Sequence, residues 1–210
     1  MPKAVPLRQA QKQFTHDRLV EAAVTEFCDR GYRTTTVDDI AARAGTTRAT
    51  FYNHFTTKSD IIVELMESDS AFRPRWDELR AFPRKPNREL IRAWLADTTS
   101  RWAKHRDLIS VIRQAVTIES ELNAAQGERF QKTLTRFVEA IRHLGWSSDT
   151  EVRVEAMLLF AQLERIFSYW DFEDAGEAIV LDLLTENWWQ AFQRAAKSAA
   201  KNASQEPAPS

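Results

Sequence analysis

Apolar residues recur along this chain at spacings of three and four, and almost nowhere at the alternating spacing of a strand. Leu19, Val20, Ala23, Val24, Phe27 and Cys28 trace one face of a helix expected from His16 to Arg30, capped by Thr15 and released at Gly31. Cys28 falls on that stripe and is expected as a small core residue. Val37, Ile40, Ala41 and Ala44 mark a second, shorter helix between Thr36, a natural N-cap, and Gly45. Asp38 and Asp39 suit the positive end of its dipole. Thr46 and Thr47 then lead a third segment, Arg48 to Phe55, long enough for about two helical turns. Thr57 or Ser59 caps a fourth helix with Ile61, Ile62, Leu65, Met66 and Phe72 before Pro74 breaks it.

The rest keeps the helical period. Pro74, Pro83 and Pro86 mark a connector over 73–87, with a short helical piece at Trp76 to Leu79. Asn87 caps a helix to about Lys104, with Leu90, Ile91, Trp94, Leu95, Thr98 and Trp102 on one side; Asp107 to about Glu119 follows. Leu122 to Leu144 is a long amphipathic helix ended by Gly145, with Trp146 folding back on it. Thr150 to Trp170 carries two apolar stripes, one through Val152, Ala156, Leu159 and Leu163 and one through Val154, Met157, Leu158, Ala161 and Phe167. A helix apolar on two sides is buried twice, by its own core and by something else. After an acidic turn at Asp171 to Asp174, Ala178 to Phe192 fills a last helix. The expected fold is all-α, with about nine helices: a basic arm over 1–14, a three-helix unit over 15–58, a helical body over 59–198 and a disordered tail over 199–210.

Composition adds few constraints. At 43% hydrophobic and 28% charged residues, the chain reads as a water-soluble globular protein. The net charge of −1 excludes a general polycation, but residues 1–60 carry +2 and the remainder −3, and Lys3, Arg8 and Lys12 stand without an acid among the first thirteen residues. That asymmetry suits contact between the N-terminal part and phosphates. A single cysteine leaves no intramolecular disulfide and no cysteine-rich metal site. No apolar run reaches ~18 residues and no signal peptide is evident, so a cytoplasmic location without membrane contact is expected. The four histidines lack metal-ligand spacing, and neither a Gly-rich phosphate loop nor a nucleophile elbow occurs, so nothing calls for an enzyme or a cofactor. A helical adaptor remains the alternative to a DNA-binding protein, ahead of a small-molecule-processing enzyme.

Thr34 to Lys58, TTTVDDIAARAGTTRATFYNHFTTK, decides between them. Helix, Gly turn and helix form the helix-turn-helix pattern, whose second helix enters a DNA major groove. Thr47 would hold a phosphate at the helix N-terminus; Arg48 and Thr50 lie where base edges are met, with guanine and the thymine methyl as their natural targets. Asn53 suits adenine or a phosphate.

The segment AGTTRATFYNHFTTKSDI, with EFCDRGYRTTTVDDIA before it, resembles the TetR family of bacterial transcriptional regulators over roughly Leu19 to Leu65. The resemblance implies backbone contacts from Tyr52, His54 and Lys58, and from Thr36 in the preceding helix. It further implies repression of a palindromic operator, relieved by a small apolar or aromatic effector in the C-terminal body. Trp94, Trp102, Phe130, Phe137 and Phe160 are candidates for an apolar lining there, and Arg113, Gln114, Gln162 and Arg165 for polar orientation. The last two helices are expected to pair with a second copy as a four-helix bundle, giving a homodimer that matches a two-fold operator.

Overall fold

The computed structural model describes residues 6–67, 75–169 and 176–203. Its described elements are ten α-helices: α1 (Leu7–Arg30), α2 (Val37–Arg43), α3 (Arg48–Tyr52), α4 (Lys58–Glu67), α5 (Trp76–Leu79), α6 (Arg88–Ala103), α7 (Arg106–Ile118), α8 (Ser120–Ile141), α9 (Asp149–Tyr169) and α10 (Gly176–Ala203). A 3-10 turn, Arg142–Leu144, follows α8. The expectations for residues 1–5, Phe72, Trp170, the acidic turn and residues 204–210 lie outside the described residues.

The chain divides into two compact units. Residues 1–68 with 107–129 make one unit, and residues 69–106 with 130–210 the other. In the first, Leu19, Ala22, Ala23 and Phe27 of α1 close over Ile40, Phe51, Phe55, Ile61 and Ile62, joined by Val111, Ala115 and Leu122 from α7 and the start of α8. The second is built on aromatic stacking. Phe137 lies 4.2 Å from Trp76 and 5.5 Å from Trp188, ring centre to centre, and Trp94 lies within 5.7 Å of Trp76 and 5.4 Å of Trp188. Salt bridges seam α6 to α10: Arg88 grips Glu186 through two N–H groups at 2.8 and 3.2 Å, and Arg92 meets Asp182 at 3.0 Å.

Several local expectations are corrected. The arm is helical from Leu7, because residues 7–18 hold no Gly or Pro and are rich in helix formers. Thr15 does not cap; its hydroxyl donates to the Gln11 carbonyl inside α1. Cys28 is exposed. The buried stripe runs through Leu19, Ala22, Ala23, Glu26 and Phe27 instead, and Glu26 tolerates burial because Arg43 Nε donates to it at 2.6 Å. The α3 helix has five residues rather than eight, since Asn53 caps it and a turn carries Phe55 back into the core. Leu90, placed on the apolar side of α6, is exposed, and α10 continues as helix through Ala203 where a disordered tail was expected.

Candidate nucleic-acid interface

The α2–α3 corner is set by caps at both helix starts. Thr36 Oγ1 accepts from the Asp39 N–H at 3.2 Å, while the Asp39 carboxylate accepts from the Thr36 N–H at 2.9 Å, a reciprocal capping box. Asp39 also binds Arg30 of α1 at 2.7 Å. The Thr36 hydroxyl and N–H, followed by Arg30, hold the Asp39 carboxyl well down, at about 2. Between the helices, Gly45 has φ +62°, and a Cβ there would lie 2.7 Å from Arg18 Nη2. Thr47 caps α3 by accepting from the Thr50 N–H at 3.1 Å, and its hydroxyl lies 3.0 Å from that of Thr50.

Phe51 and Phe55 anchor α3 in the core, leaving Thr47, Arg48, Tyr52 and Asn53 exposed and Thr50 half-buried. Arg48 does not extend freely. Its Nη1 donates to Asp38 Oδ2 at 2.7 Å, its Nη2 donates to the Tyr52 hydroxyl at 3.2 Å, and its guanidinium lies 5.5 Å from the Tyr52 ring centre. The Asp38 charge, then Tyr52, raises its already high pKa. Sequence reading gave Asp38 only the helix dipole to serve; a partner ten residues away on another helix leaves no trace in local pattern.

Lys58 and His54 are placed differently from the exposed set. Lys58 Nζ donates to the carbonyls of Tyr32 at 2.7 Å and Thr35 at 2.8 Å, and sits 4.3 Å from the Tyr32 ring centre. Two of its three N–H groups therefore hold the α1–α2 loop, and burial lowers its pKa. His54 is half-buried, its ring 5.9 Å from His16, which in turn meets Glu64 at 3.0 Å. Burial, then His16, lowers the His54 pKa. Tyr32, pushed up to about 12 chiefly by burial, shares its hydroxyl with Ser59 at 2.9 Å and donates to Glu119 at 3.2 Å.

The residues expected at an effector site divide between the units. Trp94, Phe137 and the partly buried Trp102 and Phe130 belong to the aromatic cluster, with Gln162 on α9 in the same unit. Arg113 and Gln114 belong to the first unit, where Gln114 Oε1 lies 3.5 Å from where a Cβ on Gly31 would stand. Trp76 and Trp188 were missed as candidates. Trp76 sits in a Pro-rich connector and Trp188 in a helix that reads as core, so only their stacking with Trp94 and Phe137 singles them out. Among the described residues no three His, Cys, Asp or Glu gather as metal ligands, and no helix is long and apolar enough to cross a membrane.

Residues 19–65 match the family model described as "Bacterial regulatory proteins, tetR family". Over 61 residues the chain is 38% identical to the transcriptional repressor KstR2 of Mycolicibacterium smegmatis, a stretch that covers 29% of this chain and 30% of that protein. Over 58 residues it is 40% identical to the regulator TtgR of Pseudomonas putida, covering 28% of each. The matched stretch thus spans less than a third of these curated relatives. The fold extends further: a TetR-family regulator from Mesorhizobium loti superposes with a TM-score of 0.63 at 20% identity, over 87% of this chain and 96% of that one. SmeT, repressor of the multidrug efflux pump SmeDEF of Stenotrophomonas maltophilia, superposes with a TM-score of 0.56 at 21% identity, over 89% and 91%. Residues 19–65 thus carry a helix-turn-helix that matches the TetR family in sequence, and the all-helical chain around it is similar in fold to solved TetR-family regulators.

Proposed function

We propose that the chain is a homodimeric cytoplasmic repressor that holds a palindromic operator through two copies of α3 and releases it when a small, largely apolar effector binds the tryptophan-rich unit. The observation that carries the DNA half is the α2–α3 corner, capped at both starts, anchored by Phe51 and Phe55, and presenting Arg48, Thr50 and Asn53 outward. Arg48, Thr50 and Asn53 read bases; Thr36, Thr47, Tyr52 and His54 bind the sugar-phosphate backbone, with Lys58 supporting them through its one remaining N–H. Repression follows KstR2 and SmeT, both named as repressors.

The effector half is supported by buried polar atoms in the tryptophan-rich unit. The indole N–H groups of Trp76, Trp94 and Trp188 and the side-chain oxygen of Gln162 find no hydrogen-bond partner among the described residues. Each such group costs ~1–3 kcal/mol when buried alone. A flat apolar molecule bearing oxygen acceptors answers both the aromatic surroundings and the indole donors. SmeT is known as a complex with triclosan, with a TM-score of 0.53 to this chain at 20% identity. The signal travels in part through α8, whose Leu122 lies in the first unit's core and whose Phe137 lies in the aromatic cluster.

Selection of bound duplexes from a random pool tests the reading. A two-fold symmetric sequence is expected, with half-site centres ~34–36 Å apart and binding that weakens steeply with salt. Enrichment of no sequence, or of an asymmetric one, would end it. Coumarin and naphthalene, alike in shape but not in acceptors, test the effector site by calorimetry. Coumarin is expected to bind more tightly, with the advantage lost in Trp188→Phe; equal binding of both removes the acceptor requirement.

A further inference from the structure

The two adjacent carboxylates that open α2 have separate duties. Asp39 closes the capping box with Thr36 and holds Arg30, so the start of α2 is complete without Asp38. Asp38 instead reaches across to α3 and takes Arg48 at 2.7 Å, with 62% of its own side chain and 59% of the arginine's exposed. An ion pair so exposed contributes little to folding. A carboxylate on the surface that meets a polyanion also weakens binding to every sequence alike. Its place in the first turn of α2 suits the helix dipole, but neither that nor raw affinity accounts for its reach to Arg48.

Geometry does. A guanidinium offers five N–H groups in a rigid fork, and bidentate pairing with guanine needs the fork turned edge-on to the base. Asp38 takes one N–H and the Tyr52 hydroxyl a second, while the Tyr52 ring flanks the guanidinium at 5.5 Å. Three N–H groups remain for DNA. Swinging Arg48 toward the nearest phosphate breaks the Asp38 bond and leaves that carboxylate facing the backbone uncompensated. On the matching base pair Arg48 keeps Asp38 and gains the base.

We propose that Asp38 sets the sequence specificity of the interface: it positions Arg48 for one base pair and penalises the phosphate-bound arginine that serves non-specific DNA. This rests on the DNA-binding reading above, and it adds a positioning residue outside the recognition helix.

The test compares wild type, Asp38→Asn, Arg48→Ala and the double variant on the selected site and on a mixed-sequence duplex. Asp38→Asn is expected to bind mixed-sequence DNA about threefold to tenfold more tightly and to steepen the log–log salt slope by about one. Its preference for the selected site over mixed sequence falls about tenfold, and the loss concentrates at the base pair whose identity Arg48→Ala also stops reading. In the Arg48→Ala background, Asp38→Asn still tightens mixed-sequence binding but no longer changes base preference. Unchanged preference in Asp38→Asn overturns the proposal, as does equal weakening on both duplexes with a lowered melting temperature, the mark of a structural role. A wild-type protein that selects no sequence overturns the DNA reading and this inference together; a selective wild type with an equally selective Asp38→Asn overturns this inference alone.

Discussion

At the level of single residues, the interface rests on groups whose protonation and partners are unusual, and Asp39 gives the clearest consequence. Its carboxyl sits at about 2 against an ordinary 3.8, held there by Thr36 first and Arg30 second. A carboxyl depressed in the folded state stabilises fully above its unfolded pKa and loses that contribution as pH falls through the folded one. Melting temperatures of wild type should therefore fall between about pH 4 and pH 2 partly on account of this residue. Asp39→Asn should melt lower than wild type at pH 6 and approach it at pH 2; a gap constant with pH would show that Asp39 acts through shape and not charge. Lys58 supports a different prediction. Because it holds the Tyr32 and Thr35 carbonyls, Lys58→Met should cost about 1–3 kcal/mol of stability by leaving acceptors poorly satisfied. Chemical denaturation decides this, and an unchanged midpoint would return Lys58 to a purely phosphate-binding role.

At the level of elements, the turn between α2 and α3 concentrates two separate strains on one position. Gly45 adopts φ +62°, which costs an L-residue ~1–2 kcal/mol, and an added Cβ would meet Arg18 Nη2 at 2.7 Å. Since that contact is the far end of a flexible side chain, Arg18→Ala should relieve part of the destabilisation of Gly45→Ala and leave the backbone strain behind. Full rescue in the double variant would locate the whole cost in the contact. Such turns and caps are what the sequence displays openly. Thr36, Gly45, Thr47 and Asn87 act within three or four residues, and so the starts of α2, α3 and α6 and the short α5 follow from local pattern. What escaped depends on partners distant in the chain. Glu26 takes a place on the buried stripe because Arg43, seventeen residues on, and Arg30 both pair with it; Asp38 finds Arg48 only because α3 is brought to it. Trp76 joins an aromatic cluster from a connector that reads as a break between helices. Helical period identifies which face is apolar but not which polar residue is paired well enough to replace an apolar one.

At the level of the whole molecule, the proposed dimer rests on the two-sided character of α9. Val152, Ala156, Leu159 and Leu163 fill the second unit's core. Val154, Met157, Leu158 and Ala161, three and four residues apart, are all exposed, and Leu158 keeps 51% of its surface. On α10, Ile179 and Leu183 keep 62% each while Val180, Leu181, Leu184 and Trp188 are buried. Apolar stripes that lie outside a finished core and recur on the last two helices fit a second copy of the same pair. Leu158→Glu places a charge in that stripe without touching the core, so the variant should keep its helix content while sedimenting as a monomer, with a melting temperature that no longer rises with protein concentration. Because a monomer holds one half-site and forgoes the second, operator affinity should drop at least about a hundredfold while the weak binding of mixed-sequence DNA changes far less. A variant that remains dimeric with operator affinity intact would move the interface elsewhere on the chain. A monomeric variant that still binds the operator at full strength would mean that each α3 acts alone, and then the narrow set of base contacts at Arg48, Thr50 and Asn53 would have to supply the entire specificity.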